Sequence, residues 1–113
     1  RIMSEDVYFE YDKAILTEKA RELLAQVGDI LAAEKQFVVE VEGHTDERGT
    51  ESYNMSLGGK RSQAVQKYLV SYGVEATRIG TVSYGEEKPK AEGAGEETYS
   101  KNRRANFKVK VIR

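Results

Sequence analysis

Residues 41–61 read VEGHTDERGTESYNMSLGGKR and gather the only histidine of the chain with acidic, basic and hydroxyl side chains. Three kinds of chemistry could use such a set. Nucleophilic catalysis needs a nucleophile, a base and a group that orients the base. His44, Asp46 and one of Ser52, Ser56 or Ser62 supply those types, but His44 and Asp46 stand two apart near a strand end, and no G-x-S-x-G elbow presents a serine. An ordinary zinc site needs several Cys or His ligands, and the chain has one His and no Cys. A calcium loop alternates oxygen ligands and closes with a distal Glu, a spacing that HTDERGTESYN lacks. The stretch therefore points to neither a catalytic residue nor a metal, and it implies no cofactor. His44 reads as a structural hydrogen bonder that shapes the turn after the strand.

The third arrangement fits better: a socket that presents one anion and one cation. Asp46 sits just beyond the strand end, and Arg61 falls on the second turn of the next helix if that helix starts near Ser56. A carboxylate accepts hydrogen bonds from an ammonium, and a guanidinium forms a forked pair with a carboxylate. Together they complement a zwitterionic amino-acid centre. The alternative is that Asp46 and Arg61 simply pair with each other, an exposed contact contributing about 0 to 1 kcal/mol. Spacing alone leaves the two readings open.

Several elements must position these residues. DVYFEY (6–11) has the aromatic and β-branched content of a short strand. Thr17 can cap a helix whose Leu16, Ala20, Leu23, Leu24, Val27, Ile30 and Leu31 recur on one face. QFVVEVEG (36–43) switches to a period of two, with Phe37, Val39 and Val41 opposite Glu40 and Glu42. Ser56 or Asn54 can start a second helix that places Leu57, Arg61, Ala64, Val65, Tyr68, Leu69 and Tyr72 on one side and ends at Gly73 as a left-handed cap. RIGTVSYG (78–85) is a third strand, and EEKPKAEGAGEET (86–98) an exposed connection. RANFKVKVI (104–112) is the last strand, with Ala105, Phe107, Val109 and Val111 against Asn106, Lys108 and Lys110. Each strand has one apolar side, which predicts an α+β, two-layer sandwich: a mixed four-stranded sheet with helices packed on one face. Right-handed crossovers make the first three strands at least partly parallel.

The chain's 113 residues fit one domain able to bury a core without staples. A net charge of -1, with no basic run, argues against a nucleic-acid binder. No apolar run reaches the roughly 18 residues that span a bilayer, and no secretory leader is visible. Because residue 1 is Arg and strand-like material follows almost at once, residues 1–113 read as a single domain excised from a longer chain.

Longer motifs carry a resemblance. The run VEGHTDERGTESYNMSLGGKRSQAVQKYLVSYGV, followed by YGEEKP and YSKNRRANFKV, resembles the OmpA-like peptidoglycan-binding domain over residues 7–111, and among its branches the peptidoglycan-associated lipoproteins. The resemblance implies non-catalytic binding of the peptidoglycan stem peptide. In it, Asp46 of GHTD and Arg61 of GGKR hold the amine and carboxylate of meso-diaminopimelate, the two residues that the charge argument selects. It further implies that Tyr11, Asp12, Tyr53 and Asn54 line the pocket, and that Arg103 or Arg104 of NRR reaches its rim. With Ala105 and Phe107 facing the core, Arg104 points the other way along a regular strand. Arg48 is either a solvated loop charge or a contact for a protein partner or the ligand. The branch implies a tether between outer membrane and cell wall, lipid-anchored through an acylated cysteine upstream and facing the periplasm. It also implies competition from the TolB β-propeller, so a protein-interaction module of the Tol-Pal system is the alternative. The helix entry SLGGKRSQAV departs from the pattern: Gly59 disfavours helix by about 1 kcal/mol relative to Ala, Lys60 replaces an arginine, and Ser62 replaces a small apolar residue.

Overall fold

Thr17 and Thr50 set where the two long helices begin. In the computed structural model, which describes residues 2–112, Thr17 Oγ1 accepts from Ala20 N–H at 3.0 Å and opens α1 (Glu18–Ala33). Thr50 Oγ1 accepts from Tyr53 N–H at 3.1 Å and opens α2 (Glu51–Tyr72). The second helix thus starts earlier than the expected Ser56 or Asn54, because a hydroxyl cap with Glu51 behind it satisfies the first amides and suits the helix dipole. Arg61 accordingly lies more than a turn and a half deeper in α2 than its spacing from Ser56 implies. Gly73, at φ 119°, closes the helix in the left-handed region as expected.

The strands are β1 (Val7–Tyr8), β2 (Phe37–His44), β3 (Ile79–Gly85) and β4 (Arg104–Val111), with a short α3 (Glu96–Asn102) before the last. The sheet order is β1-β4-β2-β3. β4 runs antiparallel to both neighbours, while β2 and β3 are parallel, so the first three strands share one direction. That is the mixed four-stranded α+β sheet expected. Leu24, Val27 and Leu31 of α1 and Val65 and Leu69 of α2 bury one face of it against Val39, Val41, Ile79 and Ala105. The other face carries Glu40 opposite Lys108 and Glu42 opposite Asn106. Arg78 ties this layer together: its guanidinium donates to the carbonyls of Leu31, Glu34 and Phe37 at 2.8 to 3.0 Å, capping the free end of α1.

Three expectations need correction. β1 is two residues long, not six, because the chain turns away after Tyr8 into a turn that holds Asp12 at φ +57°. The polar stretch 86–98 is not wholly an exposed connection, since α3 begins at Glu96. Val109 and Val111 are 40% and 51% exposed rather than core. β1 pairs only with Arg104 and Ala105, so β4 runs on beyond it with a single neighbouring strand. Residues 1 and 113 of the expected domain lie outside the described residues.

Candidate functional site

The site forms where β2 ends and α2 passes beside it. Gly43 and Gly58 bring the two backbones together: a Cβ on Gly43 would stand 1.8 Å from the Gly58 carbonyl oxygen. No other residue type fits at Gly43 with this spacing, so two glycines fix the distance between the strand that carries Asp46 and the helix that carries Arg61. Just past Gly43 the β2–β3 register shifts, and Thr45 N–H donates to Gly85 O at 2.8 Å, pinning the chain as it leaves the sheet.

Arg61 is 1% exposed. Its guanidinium donates to three carbonyls: Nε to Lys13 at 2.9 Å, Nη1 to His44 at 2.9 Å and Nη2 to Glu10 at 3.2 Å. A guanidinium has five N–H groups, so one remains on each terminal nitrogen. No carboxylate of the described residues reaches ion-pair distance. Burial pushes the Arg61 pKa down to about 10, against the opposing pull of nearby Asp46. The simple Asp46–Arg61 ion pair is therefore not how either charge is satisfied.

Asp46 turns instead to Arg48. Its Oδ1 accepts from Arg48 N–H at 3.0 Å and from Arg48 Nε at 3.2 Å, and its Oδ2 accepts from Nη2 at 2.8 Å. The Arg48 guanidinium lies 4.1 Å from the ring centre of Tyr11 and 4.4 Å from that of Tyr99, a cation–π arrangement on two rings. Asp46 holds the Arg48 pKa above its ordinary value, chiefly through these hydrogen bonds.

Most of the remaining expected residues fall around the same hollow, a cleft of about 340 Å³. Tyr11, Asp12, Arg48, Tyr53 and Asn54 line it with Asp46 and Arg61. Tyr53 is half exposed and its hydroxyl donates to Asp12. Asn54 is buried and donates to Glu86 Oε1 at 2.7 Å. Arg103 stands behind Asp46, with Nη1 3.9 Å from Oδ2, and is held by Phe9 O at 2.9 Å and by both oxygens of Glu96. Arg104 lies apart, bonded to Lys88 O at 3.2 Å with its Nε 3.7 Å from Asp6. His44 behaves as a structural bonder: Nε2 is 2.7 Å from Asn106 Oδ1, and Asn106 Nδ2 donates to Glu42 at 3.1 Å. Its pKa is lowered, first by burial and then by Arg104.

Sequence reasoning missed Thr45, Gly49, Thr50 and Leu57 in the cleft wall, and Glu96 and Tyr99 behind it. The α3 pair had a signal. Gly95 precedes acidic Glu96 and Glu97, and Lys101 follows in the last turn, a charge order that suits a helix.

Comparison with known proteins identifies relatives in sequence and in fold. A profile of the OmpA family matches residues 8–103. The peptidoglycan-associated lipoprotein of Haemophilus influenzae is 50% identical over 99 residues, covering 88% of this chain and 65% of that protein. The one from Pseudomonas aeruginosa is 48% identical over 101 residues, 89% of this chain and 60% of that protein. The chain thus spans under two thirds of the length of these relatives. The crystal structure of the peptidoglycan-associated lipoprotein from Burkholderia pseudomallei superposes with a TM-score of 0.91 at 38% identity, over 93% of this chain and 89% of that one. The C-terminal domain of Helicobacter pylori MotB shares the fold, with a TM-score of 0.88 at 23% identity over 95% of this chain and 84% of that one.

Proposed function

This chain belongs to the OmpA family, and on that premise we propose that its cleft binds the peptidoglycan stem peptide without altering it. Asp46 receives the amine of meso-diaminopimelate and Arg61 its carboxylate. One observation carries the reading: Arg61 is a buried cation whose partners are neutral carbonyls, with N–H groups left over. A carboxylate arriving there meets an uncompensated charge and makes charge-assisted hydrogen bonds, each contributing about 1.5 to 3 kcal/mol. The exposed Tyr11 and Tyr53, on the cleft wall, supply apolar surface for the peptide stem. The relatives' name supports a lipoprotein associated with peptidoglycan, and for the whole protein we extend this to one domain of a longer lipoprotein, anchored by lipid in the outer membrane, facing the periplasm and tethering membrane to wall.

The test is backbone-amide NMR with a diaminopimelate-containing stem peptide. Shifts should cluster at residues 11–12 and 44–61 and vanish in Asp46→Asn and Arg61→Ala. An unshifted spectrum at millimolar peptide, with the fold intact, sinks the reading.

A protein-facing role shares the rim. Arg48 on its two tyrosine rings and the half-exposed Tyr53 are side-chain types that dominate protein interfaces. A partner such as TolB would compete with the wall for this surface. Arg48→Ala and Tyr53→Ala should then abolish capture of TolB; retained capture in both variants would remove this second role.

A further inference from the structure

We propose that the Thr45 hydroxyl is a further ligand-binding group of the cleft, accepting a hydrogen bond from the same amine that Asp46 receives. This rests on the stem-peptide reading given above. A carboxylate offers about four lone-pair positions, and an ammonium carries three N–H groups. Asp46 already accepts three hydrogen bonds from Arg48, two at Oδ1 and one at Oδ2. About one position remains, so Asp46 alone does not satisfy an incoming ammonium.

Thr45 stands next to it with an unused acceptor. The residue is 3% exposed, and its Oγ1 is buried with no hydrogen-bond partner. Leaving a buried hydroxyl unmade costs about 1 to 3 kcal/mol, so such atoms are rare in folded proteins and call for an explanation. The position is also rigid, because Thr45 N–H is tied to Gly85 O at 2.8 Å. In a regular strand, Thr45 and Asp46 would point to opposite faces. Here β2 has ended and its register has shifted between Gly43 and His44, and both residues line the cleft. An unused acceptor thus belongs to a residue of the wall where a cation with spare donors arrives.

The experiment compares Thr45→Val, which keeps the shape and removes the hydroxyl, with Thr45→Ser, which keeps the hydroxyl. Affinities are measured by calorimetry for N-acetyl-L-Ala-γ-D-Glu-meso-diaminopimelate and for the same peptide with its diaminopimelate amine acetylated as well. Thr45→Val should bind the free-amine peptide about ten-fold more weakly than wild type, the loss expected for a hydrogen bond to a charged group. Thr45→Ser should restore most of that affinity, and the ratio of wild type to Thr45→Val should shrink towards one with the doubly acetylated peptide. Thr45→Val should melt no lower than wild type, since it removes an unpartnered polar atom. Equal binding by wild type and Thr45→Val, or the same loss with both peptides, overturns the inference. Wild-type binding that Asp46→Asn abolishes while Thr45→Val leaves it intact overturns this inference alone. No binding by wild type overturns the stem-peptide reading and this inference with it.

Discussion

Replacing Gly43 by Ala should open the site from its foundation. The added methyl would lie 1.8 Å from Gly58 O, 2.7 Å from Gly58 C and 3.2 Å from Ser62 N, against ordinary contacts of 3.4 Å or more. Its neighbours are backbone atoms of a helix, so no side chain can swing aside. β2 and α2 must part by more than an ångström at this point, or the strand must buckle. Overpacking of this kind costs about 1 to 3 kcal/mol, with backbone movement at the upper end. It also draws Asp46 and Arg61 apart by a distance that matters to a site holding a ligand within about 0.5 Å of its productive geometry. Gly59 is the internal control. A Cβ there meets only Ser83 Cβ at 3.9 Å, and the residue sits within α2. Gly59→Ala should therefore stabilise the domain by about 0.5 to 1 kcal/mol, through helix propensity and a less flexible unfolded chain. Urea unfolding gives the two stabilities, and stem-peptide titration gives the two affinities. The reasoning fails if Gly43→Ala unfolds at the wild-type urea concentration and still binds peptide, or if Gly59→Ala is the less stable of the pair.

Two further outcomes follow from buried charges. Arg61→Ala should free the turn at residues 10–13 as well as abolish binding, because Glu10 and Lys13 carbonyls lose their donor; hydrogen exchange at Lys13 N–H, which donates to Glu10 O, should speed up markedly, and unchanged protection there would contradict this. His44 should make the fold acid-sensitive. Burial and Arg104 hold its folded pKa below 6.5, so below that pH the unfolded state binds the proton more readily and stability is lost as the pH falls towards the folded value. Asn106, Glu42 and Asp6, which favour the protonated ring, oppose that loss without reversing it. The melting temperature of wild type should fall more between pH 7.5 and 5 than that of His44→Gln, and parallel curves would exclude His44 as the cause.

The parts of the fold that could be read from the sequence were those governed by one strong periodicity. The apolar spacing of α1 and the alternation of β2 depend on a single buried face each: α1 opens at the expected Thr17 cap, and β2 lies one residue on from its expected bounds. The start of α2 was not legible in that way. Residues 51–56 carry few apolar side chains, so the helix is fixed there by Thr50 and by cleft residues such as Asn54, whose burial depends on Glu86 far along the chain. For the site, charge type and spacing brought forward Asp46 and Arg61, and the family resemblance added the lining residues. Two things were hidden. Arg48 folds back onto Asp46, and Arg61 is held by carbonyls from residues 10, 13 and 44. Both are long-range or loop geometries with no periodic signature. The choice between Arg103 and Arg104 was equally beyond strand alternation, since α3 ends at Asn102 and Arg103 sits in the irregular link before β4.

The grip on Arg61 has a kinetic consequence. A long cationic side chain that is free in solution must be immobilised when it meets a ligand, at about 0.5 to 1.5 kcal/mol. Here folding has already done so: three carbonyls hold the guanidinium, and Arg48 and the tyrosines brace its neighbour Asp46. Capture needs no slow rearrangement of these two groups, so association should run near the ordinary docking rate and affinity should be set by escape. A small, ready-made socket of this type suits contacts that are individually brief and collectively strong, with many copies facing a polymer that repeats the same ligand. On the proposed stem-peptide reading, each attachment would then let go as the polymer is remodelled, while the layer as a whole stays joined.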